Sequence, residues 1–247
     1  MGWMSLVEEF RSRVQELQDR PALRAKHRGS WRTTSWRQWA ERSQRVAAAL
    51  CHRGLAPGGR VTLAATTQLD WAIVDLAVWL AGGISATVHP SSSPEQARAM
   101  VADAGARFVV ADSEAHAAAL FGDQLDATII VLTDTARADS QRSGQAHDDA
   151  RRVRLSLLER QGEQLLEQTD VAAELDRRTA ELRADDVATI VYSSGTTGEP
   201  KGVALTHGNL RFEVDAIAKA LDLGPDDEQL LFLPLSHIFG RMLLLVQ

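Results

Sequence analysis

Residues 187–203 read VATIVYSSGTTGEPKGV, and this stretch sets the reading of the chain. Val187 to Tyr192 is apolar on both faces and rich in β-branched residues, as a strand covered on two sides must be. Four hydroxyls (Ser193, Ser194, Thr196, Thr197) then crowd together with Gly195, Gly198 and Lys201. Glycines let backbone N–H groups approach an anion closely. The hydroxyls add neutral donors, and lysine adds a mobile point charge suited to phosphate. The chain's lysines are Lys26, Lys201 and Lys219, so placing one of them here carries weight. Such a loop suits a polyphosphate. It is not a Walker A loop, which puts glycine directly before the lysine and Ser or Thr after it, whereas Lys201 lies between Pro200 and Gly202. The competing reading is a polar hairpin turn between two strands.

Upstream, the pattern alternates. Val61 to Thr66, Ile84 to His89, Arg107 to Ala111 and Ala127 to Leu132 read as strands. Between them Leu69 to Ala81 and Glu114 to Phe121 read as helices, and Ser93-Pro94-Glu95-Gln96 gives a capping box opening a third that ends near Gly105. Alternating β and α units with strands apolar on both faces predict an α/β fold: layered, mostly parallel sheets flanked by helices. Before them, Val7, Phe10, Val14 and Leu17 mark an amphipathic first helix, and Ser35 caps a helix from Trp36 to Arg53 that Gly54 ends. Asp134 to Arg152 is nearly without large apolar residues and is expected to be an exposed loop. Helical runs follow at Leu155–Gln168 and Val171–Leu182. The division expected is a first α/β part over 1–133, a loop over 134–152, and a part carrying the phosphate loop over 153–247.

Composition narrows the function. The chain has 247 residues, 45% hydrophobic and 24% charged, and a net charge of −6, which speaks against a nucleic-acid partner because binding phosphodiesters needs a clustered basic face. One cysteine, Cys51, allows no internal disulfide and fits a reducing, cytoplasmic setting. Trp71–Val88 and Leu230–Val246 are apolar but broken by Asp75 and Gly82-Gly83, and by Pro234, His237 and Arg241, so neither gives the uninterrupted run of about 20 residues that a spanning helix needs. Peripheral membrane contact stays open. The histidines are never three to five residues apart, so no local zinc pair exists. There is no G-x-S-x-G elbow and no G-x-G-x-x-G after a strand.

The string YSSGTTGEPKG at 192–202 resembles the phosphate-binding signature of the adenylate-forming superfamily, which includes acyl-CoA synthetases, luciferase and peptide-synthetase adenylation domains. A second string, LFLPLSHIFGR at 231–241, read as a strand running through Pro-Leu-Ser-His into a helix, resembles that family's next core motif. Pro57-Gly58-Gly59-Arg60 is similar to its PGDRV-like opening turn, with Gly59 in place of the acidic residue. WLAGGISATVHPSSSPEQ and LPLSHIFGR look closest to long-chain fatty acyl-CoA synthetases.

The resemblance implies ATP contacts at Ser193, Ser194, Gly195, Thr196, Thr197, Gly198 and Lys201, with Lys201 and Thr197 catalytic. It implies magnesium at Ser193, and His237 beside the reacting carboxylate in the acyl pocket. It implies ATP, magnesium and CoA, and a fatty acid or other carboxylic acid as substrate. The acyl group would pass through an acyl-adenylate to CoA. Three alternatives remain: transfer to a carrier protein by a fatty acyl-AMP ligase, another adenylation domain, or an inactive nucleotide- or partner-binding fragment. The chain would be the first half of the large N-terminal domain, with the C-terminal domain absent. The ending RMLLLVQ, apolar and uncapped, fits a chain that stops inside a fold.

Overall fold

The computed structural model describes residues 4–27, 29–122, 125–132, 151–194, 200–222, 224 and 227–246. Helix α1 (Leu6–Leu17) begins at a capping box between Ser5 and Glu8, and a hairpin follows, β1 (Pro21–His27) with β2 (Ser30–Ser35). Ser35 caps α2 (Trp36–His52), reciprocated by Gln38 as the capping-box spacing requires. Five α/β elements then run as the sequence predicts: β3 (Arg60–Ala64), α3 (Leu69–Leu80), β4 (Ile84–Thr87), α4 (Pro94–Ala104) and β5 (Phe108–Ala111). Next come α5 (Glu114–Phe121), β6 (Thr128–Val131) and a short β7 (Arg152–Arg154). Helices α6 (Leu155–Leu166) and α7 (Thr169–Ala180) precede β8 (Val187–Ser194), β9 (Pro200–Thr206), α8 (His207–Leu221) and α9 (Ile238–Leu245).

Seven strands form one sheet in the order β7-β6-β5-β3-β4-β8-β9, parallel throughout except for the antiparallel β8–β9 pair. The sheet therefore takes strands from both sides of the 134–152 segment, which lies almost wholly outside the described residues. Side chains alternate across the strands. Ala86 of β4, Val88 just beyond it, and Ile190 and Tyr192 of β8 pack toward α4 and α5. The opposite face meets the larger core, built around α3, whose residues Trp71 to Leu80 are all buried.

Two sequence readings change. Leu231 to Leu233 is irregular rather than a strand: no neighbouring strand supplies hydrogen bonds, and Phe232 is 78% exposed. The turn at Pro57–Arg60 explains its own departure from the acidic residue. A Cβ on Gly59 would lie 2.8 Å from both the Ala56 carbonyl oxygen and Leu55 Cδ1, so this tight turn has no room for a side chain. Among the described residues no helix is long and apolar enough to cross a membrane.

Candidate active site

Of the predicted site residues, Ser193, Lys201 and His237 lie at the C-terminal end of the parallel strands, where open α/β sheets place their ligands. Strands β8 and β9 pair antiparallel on either side of residues 195–199, as the hairpin reading expects. In this register Ser193 pairs with Lys201, and Ser194 with Pro200. Ser193 and Lys201 are exposed, and Lys201 makes no ion pair with any described residue. Gly195, Thr196, Thr197 and Gly198 lie outside the described residues, as does the Ser194 side chain.

The root of the loop is fixed on the other face of the sheet. Tyr192, the residue before Ser193, directs its hydroxyl at Asp103 Oδ2 (2.7 Å) and the Met100 carbonyl (3.0 Å), both on α4. Burial, with the Asp103 carboxylate accepting its proton, holds the Tyr192 phenol well above its ordinary pKa. Gly202 faces Tyr192 across the hairpin. A Cβ there would sit 3.0 Å from Ile190 Cγ2 and 3.1 Å from the Tyr192 ring, so the glycine lets α4 and the aromatic ring close over β8.

His237 reaches the same edge from α9, whose N-cap position it occupies with an exposed ring. Two threonines hold this segment on the sheet edge. Thr67, just beyond β3, donates its hydroxyl to the Leu233 carbonyl (3.4 Å) and accepts from the Leu235 N–H (2.9 Å). Thr87, the last residue of β4, donates to the Ser236 carbonyl (3.0 Å). Neither clip carries a sequence signal: the buried Thr87 in a strand looks like any β-branched residue, and the exposed Thr67 like any polar residue of a connection.

His89 was equally silent in the sequence. β4 and β8 pair Thr87 with Val191, so two residues further on the continuation of β4 brings His89 level with Ser193. Alternation puts both on the face that carries α9. The His89 and His237 rings meet edge to face, centroids 6.0 Å apart and planes at 89°. Ser91 closes on Nδ1 of His89 with its hydroxyl at 2.7 Å and its backbone N–H at 3.2 Å. A backbone N–H can only donate, so Nδ1 accepts and the neutral ring carries its proton on Nε2.

One turn into α9, Arg241 enters the core. Its Nε donates to Asp75 Oδ2 (2.8 Å) and its Nη2 to Asp75 Oδ1 (2.5 Å) and Ser85 Oγ (2.6 Å). Nη1 donates to Thr189 Oγ1 (2.5 Å), and the guanidinium lies 4.7 Å from the Trp79 ring and 5.7 Å from the Trp71 ring. Arg241 is 1% and Asp75 2% exposed, so both charges are compensated only by each other and by these donors and acceptors. Burial pushes the Asp75 carboxyl up and the Arg241 guanidinium down, each opposed by its partner. This cluster joins α9, bearing His237, to β4 and β8, the strands bearing His89 and Ser193.

Magnesium, which the family resemblance implies, finds one oxygen donor here in the exposed Ser193 hydroxyl. Among the described residues no three His, Cys, Asp or Glu side chains converge on a metal position. The donor set fits an ion arriving on a triphosphate and keeping phosphate and water ligands, rather than one held in a protein cage.

A seven-stranded, mostly parallel sheet with helices on both faces defines an open α/β architecture, with Ser193, Lys201 and His237 at the C-terminal end of its strands. The chain belongs to the AMP-binding enzyme family, whose sequence profile matches residues 10–246. It is 31% identical over 216 residues to the long-chain-fatty-acid–CoA ligase FadD15 of Mycobacterium tuberculosis, covering 86% of this chain and 33% of that one. It is 26% identical over 254 residues to the long-chain-fatty-acid–CoA ligase ACSBG2 of Rattus norvegicus, covering 97% of this chain and 35% of that one. The fold matches VinN in complex with 3-methylaspartate at a TM-score of 0.77 and 20% identity, over 98% of this chain and 58% of that one. It also matches a fatty acyl-adenylate ligase from L. pneumophila bound to acyl adenylate and pyrophosphate, at 0.71 and 21%, over 98% and 37%. At such identities the structural matches speak for the fold. The chain spans about a third of the length of the curated relatives it matches.

Proposed function

We propose that this chain supplies the first part of the large domain of an enzyme that activates a long-chain fatty acid with ATP. The acid becomes an acyl-adenylate with release of pyrophosphate, and the acyl group then passes to the thiol of CoA. Within the chain, 1–133 would form the first α/β part, 134–152 an exposed connection, and 153–247 the part bearing the phosphate loop. A following C-terminal half would complete the site.

The observation that carries this reading is the convergence of Ser193, Lys201 and His237 on one sheet edge, 36 residues separating Lys201 from His237 in sequence. Lys201 stands exposed beside the loop, free to follow the β- and γ-phosphates. With the donors of Ser193, Ser194, Gly195, Thr196, Thr197 and Gly198 it would stabilise charge that builds as pyrophosphate leaves. Thr197 and Lys201 are the groups assigned to the reacting phosphates. Magnesium bound with ATP, contacted by Ser193, would supply further charge neutralisation. His237 would line the acyl end, and the exposed Phe232 and Phe239 on either side of it in sequence suit a long aliphatic substrate.

ATP–pyrophosphate exchange driven by dodecanoate tests the reading in the longest gene product that carries this sequence. Lys201→Ala is expected to slow exchange by about 100-fold or more, the scale of losing one charge-stabilising donor. Near-normal exchange by that variant would remove Lys201 from the chemistry. Acyl-adenylate that forms while CoA goes unconsumed would move the assignment to carrier-protein acylation.

A further inference from the structure

We propose that His89 is a substrate-binding residue: its Nε2–H donates to the carboxylate of the acyl substrate, opposite His237. The inference rests on the acyl-activating reading above and adds to it a residue on a different strand. Four observations lead to it. Ring position comes first: His89 lies two residues past the C-terminal end of β4, whose last residue, Thr87, pairs with Val191 and donates to Ser236 beside His237. The His89 centroid lies 6.0 Å from that of His237, so the two imidazoles touch edge to face and form one exposed rim. The tautomer comes next. Nδ1 is taken by the Ser91 N–H at 3.2 Å and the Ser91 hydroxyl at 2.7 Å, which commits the remaining nitrogen, Nε2, to donating. The ring is exposed, and Nε2 has no partner among the described residues.

The third observation concerns the ligand. A neutral N–H donor orients a carboxylate without neutralising it, so the acid keeps its nucleophilic oxygen, whereas a cation in the same place would draw that charge down. Fourth, the neighbouring ring is held in place. Thr87 holds Ser236, Thr67 holds Leu235, and Arg241 ties α9 to Ser85 of β4 and Thr189 of β8. His237 is thus fixed from below, while Ser91 sets the orientation of the His89 ring. The competing role for His89 is local: an acceptor that closes the turn at Ser91. That role uses Nδ1 alone, which makes the two separable by substitution. His89→Asn keeps an acceptor near Nδ1 and lacks the reach of Nε2. His89→Gln extends a donor toward the Nε2 position.

The test is a histidine-ring nitrogen NMR titration of the full chain with dodecanoate, with dodecanol and ATP as separate probes. Dodecanoate is expected to shift the Nε2 resonance of His89 together with His237, and dodecanol to leave His89 unmoved. The free protein is expected to show the Nε2–H tautomer at His89. His89→Asn should weaken dodecanoate binding by about 10-fold to 100-fold, the scale of one hydrogen bond to a charged group, and His89→Gln should recover most of it. If dodecanoate shifts His237 alone, or His89→Asn binds as tightly as the parent, His89 is only a turn residue and the proposal falls while the acyl-activating reading stands. A His89 response to ATP without acid would also overturn it, by assigning the donor to phosphate. If neither dodecanoate nor ATP perturbs either histidine, and the longest gene product that carries this sequence shows no ATP–pyrophosphate exchange with dodecanoate, the acyl-activating reading fails and this inference fails with it.

Discussion

Helix α9 lies over strands β4 and β8, and its two ends meet opposite surroundings. At the inner end, Arg241, Asp75, Ser85 and Thr189 are all buried, and Arg241 is bonded to each of the other three. At the outer end, His237, His89, Ser193 and Lys201 are all exposed. Helix α9, β4 with its continuation, and β8 thus contribute to both groups, joined by Asp75 of α3 in the closed one and Lys201 of β9 in the open one. The difference is informative because burial sets the cost of a missing partner. A charge left alone in the core has nothing to replace its hydration, while a surface group falls back on water. The inner cluster should therefore answer to stability measurements and the outer one to ligand measurements.

The strongest way to break that contrast is to remove one buried charge. Asp75→Ala leaves the Arg241 guanidinium with two hydroxyl acceptors and two aromatic faces. Urea unfolding of this variant is expected to show a loss of about 3–5 kcal/mol. The pair Asp75→Leu with Arg241→Met should regain most of it, because neither charge is then stranded. A loss below about 1 kcal/mol in Asp75→Ala would mean that water already reaches the cluster, and the inner end would be no more closed than the outer.

His207 sharpens the comparison with a titration. It is 1% exposed, packs edge to face on Trp79 at 5.7 Å, and its Nδ1 finds no partner among the described groups. Burial, joined by the nearby Arg241 charge and opposed by Asp186, brings its pKa down to about 4 from an ordinary 6.5. The folded state thus resists a proton that the unfolded state accepts. Above pH 6.5 the group is neutral in both states and contributes no slope. As pH falls from 6.5 toward 4, the unfolded chain gains the proton first and stability drops, by about 3 kcal/mol once the window is crossed. His207→Leu should flatten unfolding free energy over that window, measured at constant ionic strength. An unchanged slope would place His207 in contact with water.

How far the sequence revealed these regions follows the same division. The elements β3 to β6 were legible because each is either apolar throughout or bounded by a helix start such as Ser93-Pro94. A candidate anion loop was legible because hydroxyls, glycines and a rare lysine cluster after a buried strand, and the antiparallel β8–β9 pair that flanks it was legible as the hairpin alternative. Strands β1, β2 and β7 and helix α8 have no counterpart in the sequence reading, and β9 only as the far arm of the hairpin alternative. Ser30–Ser35 and Pro200–Thr206 are mostly exposed, and with one face in water and few apolar residues they carry no alternation to read. The Arg241–Asp75 pair spans 166 residues and joins two apolar helical segments, where each charge alone looked like an interruption of hydrophobicity. Cross-strand register, which brings His89 beside Ser193, is a property of the folded sheet that no single stretch contains.

The smallest expected effect completes the contrast. Ser193→Ala, Lys201→Ala and His237→Ala each remove an exposed group with no buried partner, so unfolding free energy should change by about 0.5 kcal/mol or less. Helix α9 loses no side-chain cap in His237→Ala, because the imidazole makes none. Thermal unfolding followed by far-UV circular dichroism would check all three against the parent at one pH above 6.5, where His207 adds no slope. If any of them costs about 2 kcal/mol or more, the outer group is holding the fold together, and its open arrangement cannot be read as a place kept for ligand. If all three are neutral while substitutions under α9 are costly, the helix is a rigid support whose buried end is fixed so that its exposed end can stay unpartnered.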